Sequence, residues 1–553
     1  MIKENFIKIY EESFKDNWEL PALTDYAKGT TFTFADVSKE IARIHTLFET
    51  CQIRRGDKIA LVGKDSSRWC IAYMATVTYG AIIVPILQDF NPNDIHHIVN
   101  HSESVFLFAD DRIWENLEEE RINEVRGVFS LSDFRCLHQR DGENIHKTIK
   151  NMDSIMQKKY PKGFAKEDIC YAELDNSKIV EINYTSGTTG FSKGVMLTGN
   201  NLAGNVMYGK KLGVLLKGER TLCFLPLAHA YSCAFNLLAP MAYGANVFFL
   251  GKVPAPKILM KAFEEVKPNL ILTVPLILEK IYKKMILPQL SKSVMRVALN
   301  VPLLDTRIYA QIRKKLIDAF GGRVREVIVG GAAMNIEVSD FLTKIEFPYT
   351  IGYGMTECGP LIAYENKYDY VPGSCGKILK KIMEVRVDSA DPQNTVGEIQ
   401  VKGENVMVGY YKNEETTSEV FTDDGWLKTG DLGTIDKDGN IFLRGRCKTM
   451  LLGSSGQNIY PEEIESKLNN LPFVMESIII EKEGKLVGLV YPDYDAVDST
   501  GIQHDDIPLI MEQNRIELNK QVAAYETVSA IKLYPNEFEK TPKKSIKRYL
   551  YQL

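Results

Sequence analysis

The sequence predicts a two-domain α/β protein. Its first domain is large and multi-lobed, with parallel and mixed sheets and a small β-rich lobe, and its second is a smaller, mobile α+β domain. Three observations predict this organisation. The 553 residues exceed what one hydrophobic core accommodates, since single cores stop growing near about 250–300 residues. Buried-strand and helical patterns alternate through much of the chain. Short alternating runs replace them between residues 365 and 445.

The composition is that of an ordinary globular protein. Hydrophobic residues make up 45% and charged residues 25%, which indicates neither disorder nor a fibrous repeat. A formal net charge of −5 argues against a nucleic-acid partner. The nine cysteines include no Cys-x-x-Cys pair and no Cys/His cluster, which favours reduced thiols in a cytoplasmic protein and argues against structural zinc. The amino terminus shows no secretory signal pattern.

The amino-terminal elements alternate between helix and strand. Residues 30–49 carry apolar side chains at helical spacing, behind a start signal at Asp36 or Ser38. The run 57–63 predicts a buried strand, 69–86 a helix that leads into a second strand, and 104–111 a third strand. Such alternation is typical of parallel βαβ units.

The same alternation of strand and helix is predicted again further along the chain, at residues 266–281, 324–345 and 474–492. Residues 221–250 contain no Asp, Glu, Lys or Arg, and the stretch is long enough to cross a bilayer. Pro226, Pro240 and other helix-interrupting or polar residues make a lipid-facing helix costly. We therefore predict buried soluble core and no transmembrane span.

The pattern of apolar and polar residues changes after residue 365. Short alternating runs are separated by turn dipeptides such as Asp438-Gly439, which indicates antiparallel hairpins and a small β-rich lobe. Residues after this lobe contain enough strands and helices for a compact domain. We predict an amino-terminal domain over 1–445 and a carboxyl-terminal domain over 446–553.

The stretch 184–195, "YTSGTTGFSKGV", follows a predicted strand and is the strongest functional signal. Its glycines let backbone amides approach an anion, and its hydroxyls add donors, which is the chemistry of a phosphate cradle. The common nucleotide loop, G-x-x-x-x-G-K-[ST], requires a second glycine five residues after the first, and Ser192 stands there when the count starts at Gly187. Two other motifs accompany the loop, "IGYGMTECGP" at 351–360 and "GWLKTGDLGTIDKDGNIFLRGRCK" at 425–448.

Together these motifs resemble the adenylate-forming acyl-CoA synthetase superfamily, whose loop reads [YT]-S-G-T-T-G-x-P-K-G. The match covers Tyr184 to Gly194, with Ser192 where the family usually has proline. The resemblance implies that Lys193 reaches the outer phosphates of ATP. It implies that the loop residues binding the nucleotide are Thr185, Ser186, Gly187, Thr188, Thr189 and Gly190.

The second motif resembles the family's Y-G-x-T-E pattern. By this resemblance Tyr353 stacks on adenine next to Gly354, Thr356 donates to the α-phosphate, and Glu357 ligates Mg²⁺. One carboxylate together with substrate phosphates is how magnesium usually binds. The run "VGGAA" at 329–333 is the weaker signal, and the resemblance places its residues beside the adenine and the acyl carboxylate: Gly330, Gly331 and Ala332.

The third motif carries the predicted ribose contacts. Asp431 matches the family aspartate that accepts the ribose hydroxyls, and Arg446 matches the arginine that also contacts the ribose. Lys448 lies at the hinge position, where domain rotation would let one site serve two half-reactions. The runs 225–231 and 453–465 resemble the long-chain fatty-acid branch. His229 is a candidate gate between nucleotide and acyl chain, or else a core histidine.

The carboxyl terminus departs from the family pattern. The family ends in a lysine that neutralises charge during the first half-reaction, and ungapped alignment places Ser545 at that position. Lys544 or Lys543 supplies the ammonium in our leading interpretation, because a lysine stem is long and flexible. Lys547 is a second candidate. The third alternative is a chain impaired in adenylation that still binds nucleotide.

The resemblance therefore implies a long-chain fatty acid–CoA ligase that uses ATP, Mg²⁺ and coenzyme A. Its expected partners are a fatty acid and CoA, with no nucleic acid. Peripheral membrane contact is compatible with this substrate, but no basic amphipathic helix supports it. Two alternatives remain open: a ligase that loads a carrier protein or takes another carboxylic acid, and a protein that binds acyl groups or nucleotides without catalysis.

Overall fold

The computed structural model describes residues 2, 4–122, 124–185, 192–290, 298–299, 301, 304–332, 334–452, 457–540 and 546–551. It confirms the predicted α/β class. The strands of the described residues are β1 Pro21–Asp25, β2 Thr30–Thr33, β3 Lys58–Val62, β4 Ile82–Ile86, β5 Ser104–Ala109, β6 Gly127–Ser130, β7 Cys136–Gln139, β8 Ile179–Thr185, β9 Lys193–Thr198, β10 Arg220–Cys223, β11 Asn246–Phe249, β12 Leu270–Thr273, β13 Glu326–Val329, β14 Tyr349–Ile351, β15 Tyr353–Gly354, β16 Leu361–Ala363, β17 Met383–Asp388, β18 Gly397–Gly403, β19 Gly409–Tyr410, β20 Leu427–Ile435, β21 Ile441–Arg446, β22 Leu451–Leu452, β23 Asn458–Ile459, β24 Val474–Lys482, β25 Lys485–Pro492 and β26 Val528–Leu533.

The α-helices of the described residues are α1 Phe6–Asp16, α2 Phe34–Thr50, α3 Ser67–Tyr79, α4 Pro92–His101, α5 Asp111–Trp114, α6 Ile145–Lys150, α7 Met152–Lys159, α8 Gly199–Leu212, α9 Ala230–Ser232, α10 Ala239–Tyr243, α11 Pro256–Val266, α12 Pro275–Ile281, α13 Leu287–Leu290, α14 Leu304–Ala319, α15 Ile336–Lys344, α16 Glu414–Val420, α17 Pro461–Leu468, α18 Tyr494–Thr500 and α19 Ile507–Asn519. Two π-helical segments, Cys233–Leu238 and Tyr282–Ile286, join neighbouring helices.

Two large sheets organise most of the chain. The seven-stranded sheet has the order β14-β13-β12-β10-β11-β1-β2, and its neighbours pair in parallel except β1 and β2. The eight-stranded sheet has the order β19-β9-β8-β4-β3-β5-β6-β7, with a parallel centre from β8 to β6. Antiparallel strands β9, β19 and β7 complete its two sides. The predicted βαβ units at 57–111, 266–281 and 324–345 are therefore confirmed.

The start of α2 differs from the prediction. The helix begins at Phe34, and Thr33 caps it by accepting a hydrogen bond from the Asp36 amide at 3.1 Å. Asp36 returns the contact, since its carboxylate accepts from the Thr33 amide at 3.0 Å. Asp36 is thus the third helical residue of a capping box, so its prediction as the start, with Ser38 as the other choice, was wrong.

The long charge-free stretch is buried, as predicted. Between residues 221 and 250 the chain forms β10, α9, a π-helical segment, α10 and β11, and most of its side chains are buried. Within the described part of the chain, no helix combines the length and the apolar character needed to cross a membrane.

The β-rich lobe is confirmed, whereas the prediction for 474–492 was wrong. Strands β20 and β21 form an antiparallel hairpin around Asp438-Gly439, within a sheet of order β17-β18-β20-β21. Strands β24 and β25 also pair antiparallel, without an intervening helix. Their two-residue turn is Glu483-Gly484, where both residues have positive φ, 53° and 73°. Such turns match the twist of paired strands, and the local Glu-Gly signal therefore outweighs the apparent alternation.

The chain divides into two compact units. The first contains the described residues of 2–187, 192–384 and 401–427, and the second contains 385–400 and the described residues of 428–553. One hydrophobic cluster of the second unit joins strands β24–β26 to the helices α17 and α19. A second cluster packs side chains of β24 and β25 against Phe538 and Tyr551. The predicted domain boundary near residue 445 stays a prediction. The predicted mobility of the carboxyl-terminal domain also stays a prediction.

Candidate active site

Several candidate residues of the first unit lie at one edge of the seven-stranded sheet. Strand β10 leads into the segment that carries His229, β13 leads into 330–332, and β14 leads into 353–357. Because these strands run parallel, the three segments leave the sheet at its carboxyl edge. In open α/β sheets, ligands bind beside the carboxyl ends of the strands. The topology therefore gathers three of the sequence-predicted segments.

Gly330 is held under an aromatic ring. Its amide donates to the Thr273 carbonyl at 3.0 Å, at the end of the neighbouring strand. The hydroxyl of Tyr231 donates to the Ile328 carbonyl at 3.0 Å, and a Cβ at position 330 would lie 3.1 Å from the Tyr231 ring. The contact would be a tight one, so the position favours glycine. Gly331 has a φ of 89°, and both it and Ala332 are exposed.

The predicted phosphate loop connects two paired strands. Strand β8 ends at Thr185 and β9 begins at Lys193, and these two residues face each other across the pair. This confirms the strand predicted before the loop. The predicted loop residues Ser186, Gly187, Thr188, Thr189 and Gly190 lie outside the described residues.

The Tyr353–Glu357 segment is shaped by a tight hairpin. Strands β15 and β16 pair with Tyr353 opposite Ala363. A Cβ at Gly354 would collide with the carbonyl oxygen of Pro360, so the backbone approach requires glycine. Thr356 is buried and starts a 3₁₀ turn that also contains Glu357. The segment therefore presents Glu357, half-buried, from a constrained turn.

Helix α8 supports this turn from behind. The side chain of Asn205 accepts a hydrogen bond from the Leu361 amide at 2.8 Å. One helical turn earlier, Asn201 donates to the carbonyls of Glu404 and Val406 at 2.8 and 2.9 Å. Asn201 and Asn205 are buried. One helix thus joins the turn that carries Glu357 to the segment before β19.

Tyr410 joins two predicted site residues. Its hydroxyl donates to Oε1 of Glu357 at 2.9 Å, and the ammonium of Lys193 lies over its ring, 5.1 Å from the centroid. Burial and then the neighbouring Glu357 carboxylate raise the pKa of Tyr410 well above its usual value, which keeps the phenol protonated as a donor. The structure therefore brings Glu357 to the hydroxyl of Tyr410 and Lys193 to its ring.

The chemistry of this group fits the predicted magnesium ion. Glu357 offers a half-buried carboxylate, and a hard cation bound through one carboxylate and substrate phosphates is the usual arrangement for Mg²⁺. Among the residues that the structure describes, no group of three or more His, Cys, Asp or Glu side chains is placed to hold a metal. Glu357 together with the phosphates of a nucleotide would hold such an ion.

Asp431 and Arg446 form a pair within the second unit. They lie directly opposite each other on β20 and β21, and Nε of Arg446 is 2.9 Å from Oδ1 of Asp431. The aspartate side chain is 8% exposed, whereas that of the arginine is 66% exposed. The structure thus brings these two predicted ribose contacts together, with the guanidinium orienting the buried carboxylate.

The predicted hinge and terminal lysines also belong to the second unit. Lys448 is exposed in a turn directly after β21. The ammonium of Lys547 lies 3.4 Å from the carboxylate of Glu539. Lys543, Lys544 and Ser545 lie outside the described residues. The hinge role and the choice of substitute lysine stay predictions.

His229 caps a short helix. Its Nδ1 accepts a hydrogen bond from the Tyr231 amide at 3.3 Å, at the start of α9. The backbone amide of Leu227, in the same segment, donates to Oδ1 of Asp65 at 2.9 Å. Burial raises the pKa of Asp65 to about 7, although part of its surface stays accessible. The structure shows that His229 caps α9, and its role as a gate stays a prediction.

Sequence reasoning missed the residues that support the site: Tyr410, Tyr231, Asn201, Asn205 and Asp65. Tyr410 stands in "GYY" after a strand-like run, and that short pattern carries no known chemical signal. Asn201 and Asn205 are spaced four residues apart, which places them on one helical face. That spacing was the one local signal that a polar helix face is buried.

The sequence matches the AMP-binding enzyme family over residues 10–411. This chain belongs to that family. Relatives include long-chain-fatty-acid–CoA ligase 1 of Saccharomyces cerevisiae, 25% identical over 88% of this chain and 75% of the yeast protein. Long-chain-fatty-acid–CoA ligase FadD15 of Mycobacterium bovis is 26% identical over 94% of this chain and 90% of that protein. The 4-coumarate–CoA ligase CCL1 of Humulus lupulus is 26% identical over 97% and 90%.

Solved structures establish the same fold. ATP-bound MatB from Rhodopseudomonas palustris matches with a TM-score of 0.76 at 22% identity, over 99% of this chain and 98% of that chain. The o-succinylbenzoate CoA synthetase MenE from Bacillus subtilis, in complex with ATP and a magnesium ion, has a TM-score of 0.72 at 20% identity. That match covers 99% of this chain and 98% of the other.

Proposed function

We propose that this chain is an ATP- and Mg²⁺-dependent long-chain fatty acid–CoA ligase. In the first half-reaction a carboxylate oxygen of the fatty acid attacks the α-phosphorus of ATP, and pyrophosphate leaves with the electrons of the broken P–O bond. In the second, the thiolate of CoA attacks the acyl carbon, and AMP leaves as the C–O bond breaks. The CoA thiol proton passes to solvent.

One observation carries the proposal: Lys193 and Glu357 contact the same tyrosine, Tyr410. A cation and a metal-binding carboxylate that both contact one side chain suit a polyphosphate, whose negative charge needs neutralising as the α-phosphorus is attacked. Magnesium, when bound by Glu357, would supply further charge neutralisation. Lys193 would hold the departing pyrophosphate through its ammonium.

Two of the relatives named above are long-chain fatty acid ligases, which supports that substrate class. The buried apolar segment 221–250 offers apolar surroundings that an alkyl chain requires. Among the described residues the cysteines form no disulfide, which is compatible with the cytoplasmic localisation that we propose.

An aromatic acid is a second candidate substrate. The 4-coumarate–CoA ligase of Humulus lupulus is as similar to this chain as the fatty-acid enzymes are, at 26% identity. The two substrate classes differ in shape, since a planar ring needs a short, wide pocket and a long alkyl chain needs a narrow, deep one.

The test is acid-dependent AMP release by the full-length protein. Saturated acids from acetate to stearate, together with 4-coumarate, are offered with ATP and Mg²⁺, each with CoA, with a carrier-protein thiol, or without an acceptor. We expect the largest kcat/KM with a long-chain acid and CoA, with AMP and thioester formed in equal amounts.

Other outcomes contradict the proposal in distinct ways. A preference for 4-coumarate would assign the aromatic substrate, and turnover with the carrier protein alone would replace CoA as acceptor. ATP binding without AMP release from any acid would indicate a non-catalytic binding protein.

A further inference from the structure

We infer that Tyr410 is a positioning residue whose hydroxyl orients the carboxylate of Glu357 and whose ring holds the ammonium of Lys193. The inference rests on the proposed ATP- and Mg²⁺-dependent function and deepens it. It assigns one side chain to two separate tasks, one toward the metal ligand and one toward the phosphate-binding lysine.

The contact with Glu357 is direct. The Tyr410 hydroxyl donates to Oε1 at 2.9 Å, a normal hydrogen-bond length. The backbone of the same segment reinforces it, because the Met407 amide donates to the Glu357 carbonyl at 2.8 Å. A carboxylate held through one oxygen has its plane and direction restricted, which is how supporting hydrogen bonds orient metal ligands.

The contact with Lys193 uses the other part of the side chain. The ammonium lies 5.1 Å from the ring centroid, within the range where an aromatic face attracts a cation. Lys193 is the first residue of β9 and has a flexible four-carbon stem. The ring therefore limits the positions that this ammonium occupies before a phosphate arrives.

Tyr410 itself is fixed by the fold. It is 6% exposed, and it lies in β19 opposite Val195, two residues along β9 from Lys193. Its amide donates to the hydroxyl of Thr417 at 2.9 Å, and the next amide, that of Tyr411, donates to the Gly194 carbonyl at 2.7 Å. The pairing of β19 with β9 thus sets the distance between the ring and Lys193.

The two tasks separate by mutation. Tyr410→Phe removes the hydroxyl and keeps the ring, so it tests the orientation of Glu357 alone. Tyr410→Leu removes both contacts. Tyr411→Phe is the matched control, because the Tyr411 hydroxyl donates to a different carboxylate, that of Glu103, at 2.9 Å.

The measurement is metal binding, with Mn²⁺ as an electron-spin-resonance probe that shares the oxygen ligands of Mg²⁺. Full-length proteins are titrated with Mn²⁺ in the presence of ATP and without fatty acid. We expect Tyr410→Phe to weaken Mn²⁺ binding by about 10-fold, the range seen for supporting residues of metal ligands. Metal-free ATP binding by this variant should equal that of the wild type.

The leucine variant adds the second prediction. It should weaken Mn²⁺ binding as the phenylalanine variant does and also weaken metal-free ATP binding by about 3-fold, through the lost ring–ammonium contact. Placing Tyr410→Phe in a Glu357→Gln background should produce no further loss of metal affinity. All titrations are run below the melting temperature of each variant, so that a change in stability does not enter the comparison.

Failure of this inference is distinguishable from failure of the proposed function. Wild-type protein that binds no Mn²⁺–ATP would refute the proposed function. Wild-type protein that binds it normally, with Tyr410→Phe unchanged or with Tyr411→Phe equally impaired, would overturn the role of Tyr410 and leave the proposed function standing.

Discussion

Arg446 and Asp431 contact each other because β20 and β21 pair in register. Nε of the arginine lies 2.9 Å from a carboxylate oxygen of the aspartate, whose side chain is buried. The arginine is largely exposed, and exposed partners contribute only about 0–1 kcal/mol to stability through such pairs. The pair therefore contributes little to stability, and its clearest structural effect is to fix the direction of the Asp431 carboxylate.

We predict that Arg446→Ala weakens ATP binding by about 10-fold, which is about 1.4 kcal/mol, while the melting temperature changes little. Isothermal titration and thermal unfolding measure the two effects. Arg444→Ala is the control, since Arg444 lies on the same strand and pairs with Glu463 at 3.5 Å. Equal losses of ATP affinity in the two variants would contradict a specific role for Arg446.

At the scale of elements, helix α8 stabilises the turn that contains Glu357 through a side-chain hydrogen bond. The side chain of Asn205 accepts a hydrogen bond from the buried backbone amide of Leu361. In Asn205→Ala that amide loses its acceptor, and an unsatisfied buried donor costs about 1–3 kcal/mol. We predict a lower melting temperature for the first unit and slower AMP release. Lys211→Ala, an exposed change on the same helix, should leave both unchanged; a similar loss there would show that α8 is merely intolerant of substitution.

The segment 224–229 depends on a carboxylate of another element. Asp65 lies between β3 and α3 and accepts from the Leu227 amide. Asp65 interacts electrostatically with Asp89 and with the buried thiols of Cys70, Cys223 and Cys233. Burial raises its pKa from 3.8 to about 7. A raised carboxyl pKa makes the folded state hold a proton that the unfolded state releases.

The contribution of Asp65 to the free energy of unfolding therefore falls as pH rises from about 4 to about 7, because the buried carboxyl must then ionise. Above that range the contribution no longer changes with pH. Asp65→Asn removes this titration while keeping an oxygen that accepts from Leu227. We predict that the variant's melting temperature, relative to wild type, is higher at about pH 8 than at about pH 5, corresponding to about 1–3 kcal/mol. A difference that is independent of pH would refute the raised pKa.

The elements differ in how far sequence predicts them. The hairpin at Asp438-Gly439 was predictable because turn residues and alternating strands are local signals. Asp431 and Arg446 share that hairpin, so their approach follows from it. Tyr410 reaches Lys193 only through the pairing of β19 with β9, whose residues are far apart along the chain. No local sequence pattern predicts the distance between Tyr410 and Lys193.

At the scale of the whole molecule, the proposed ligase runs two half-reactions with one set of residues. The terminal lysine of the family acts in the first, and Ser545 occupies its aligned position here. Lys547, one substitute, is paired with Glu539 within the second unit. The choice among Lys543, Lys544 and Lys547 as the source of the cation stays a prediction.

We predict that Lys544→Ala slows acyl-AMP formation by about 10²–10³-fold, the range for losing one electrostatic donor, and slows thioester formation from supplied acyl-AMP far less. Pyrophosphate release and thioester formation are measured separately. Lys543→Ala and Lys547→Ala are compared with it, and exposed Lys532→Ala is the control. Unchanged pyrophosphate release in all of the first three would eliminate the substitute-lysine hypothesis.

By itself the sequence determined the α/β class, the β-rich lobe and the identity of most candidate nucleotide contacts, because strand and helix patterns, turn dipeptides and motif spacing are local properties. The tertiary structure decided which side chains support those contacts. Tyr410 meets Lys193 and Glu357, Tyr231 covers Gly330, and other supporting residues lie behind them. These contacts join segments distant in sequence, and only the packing of sheets and helices sets their distances.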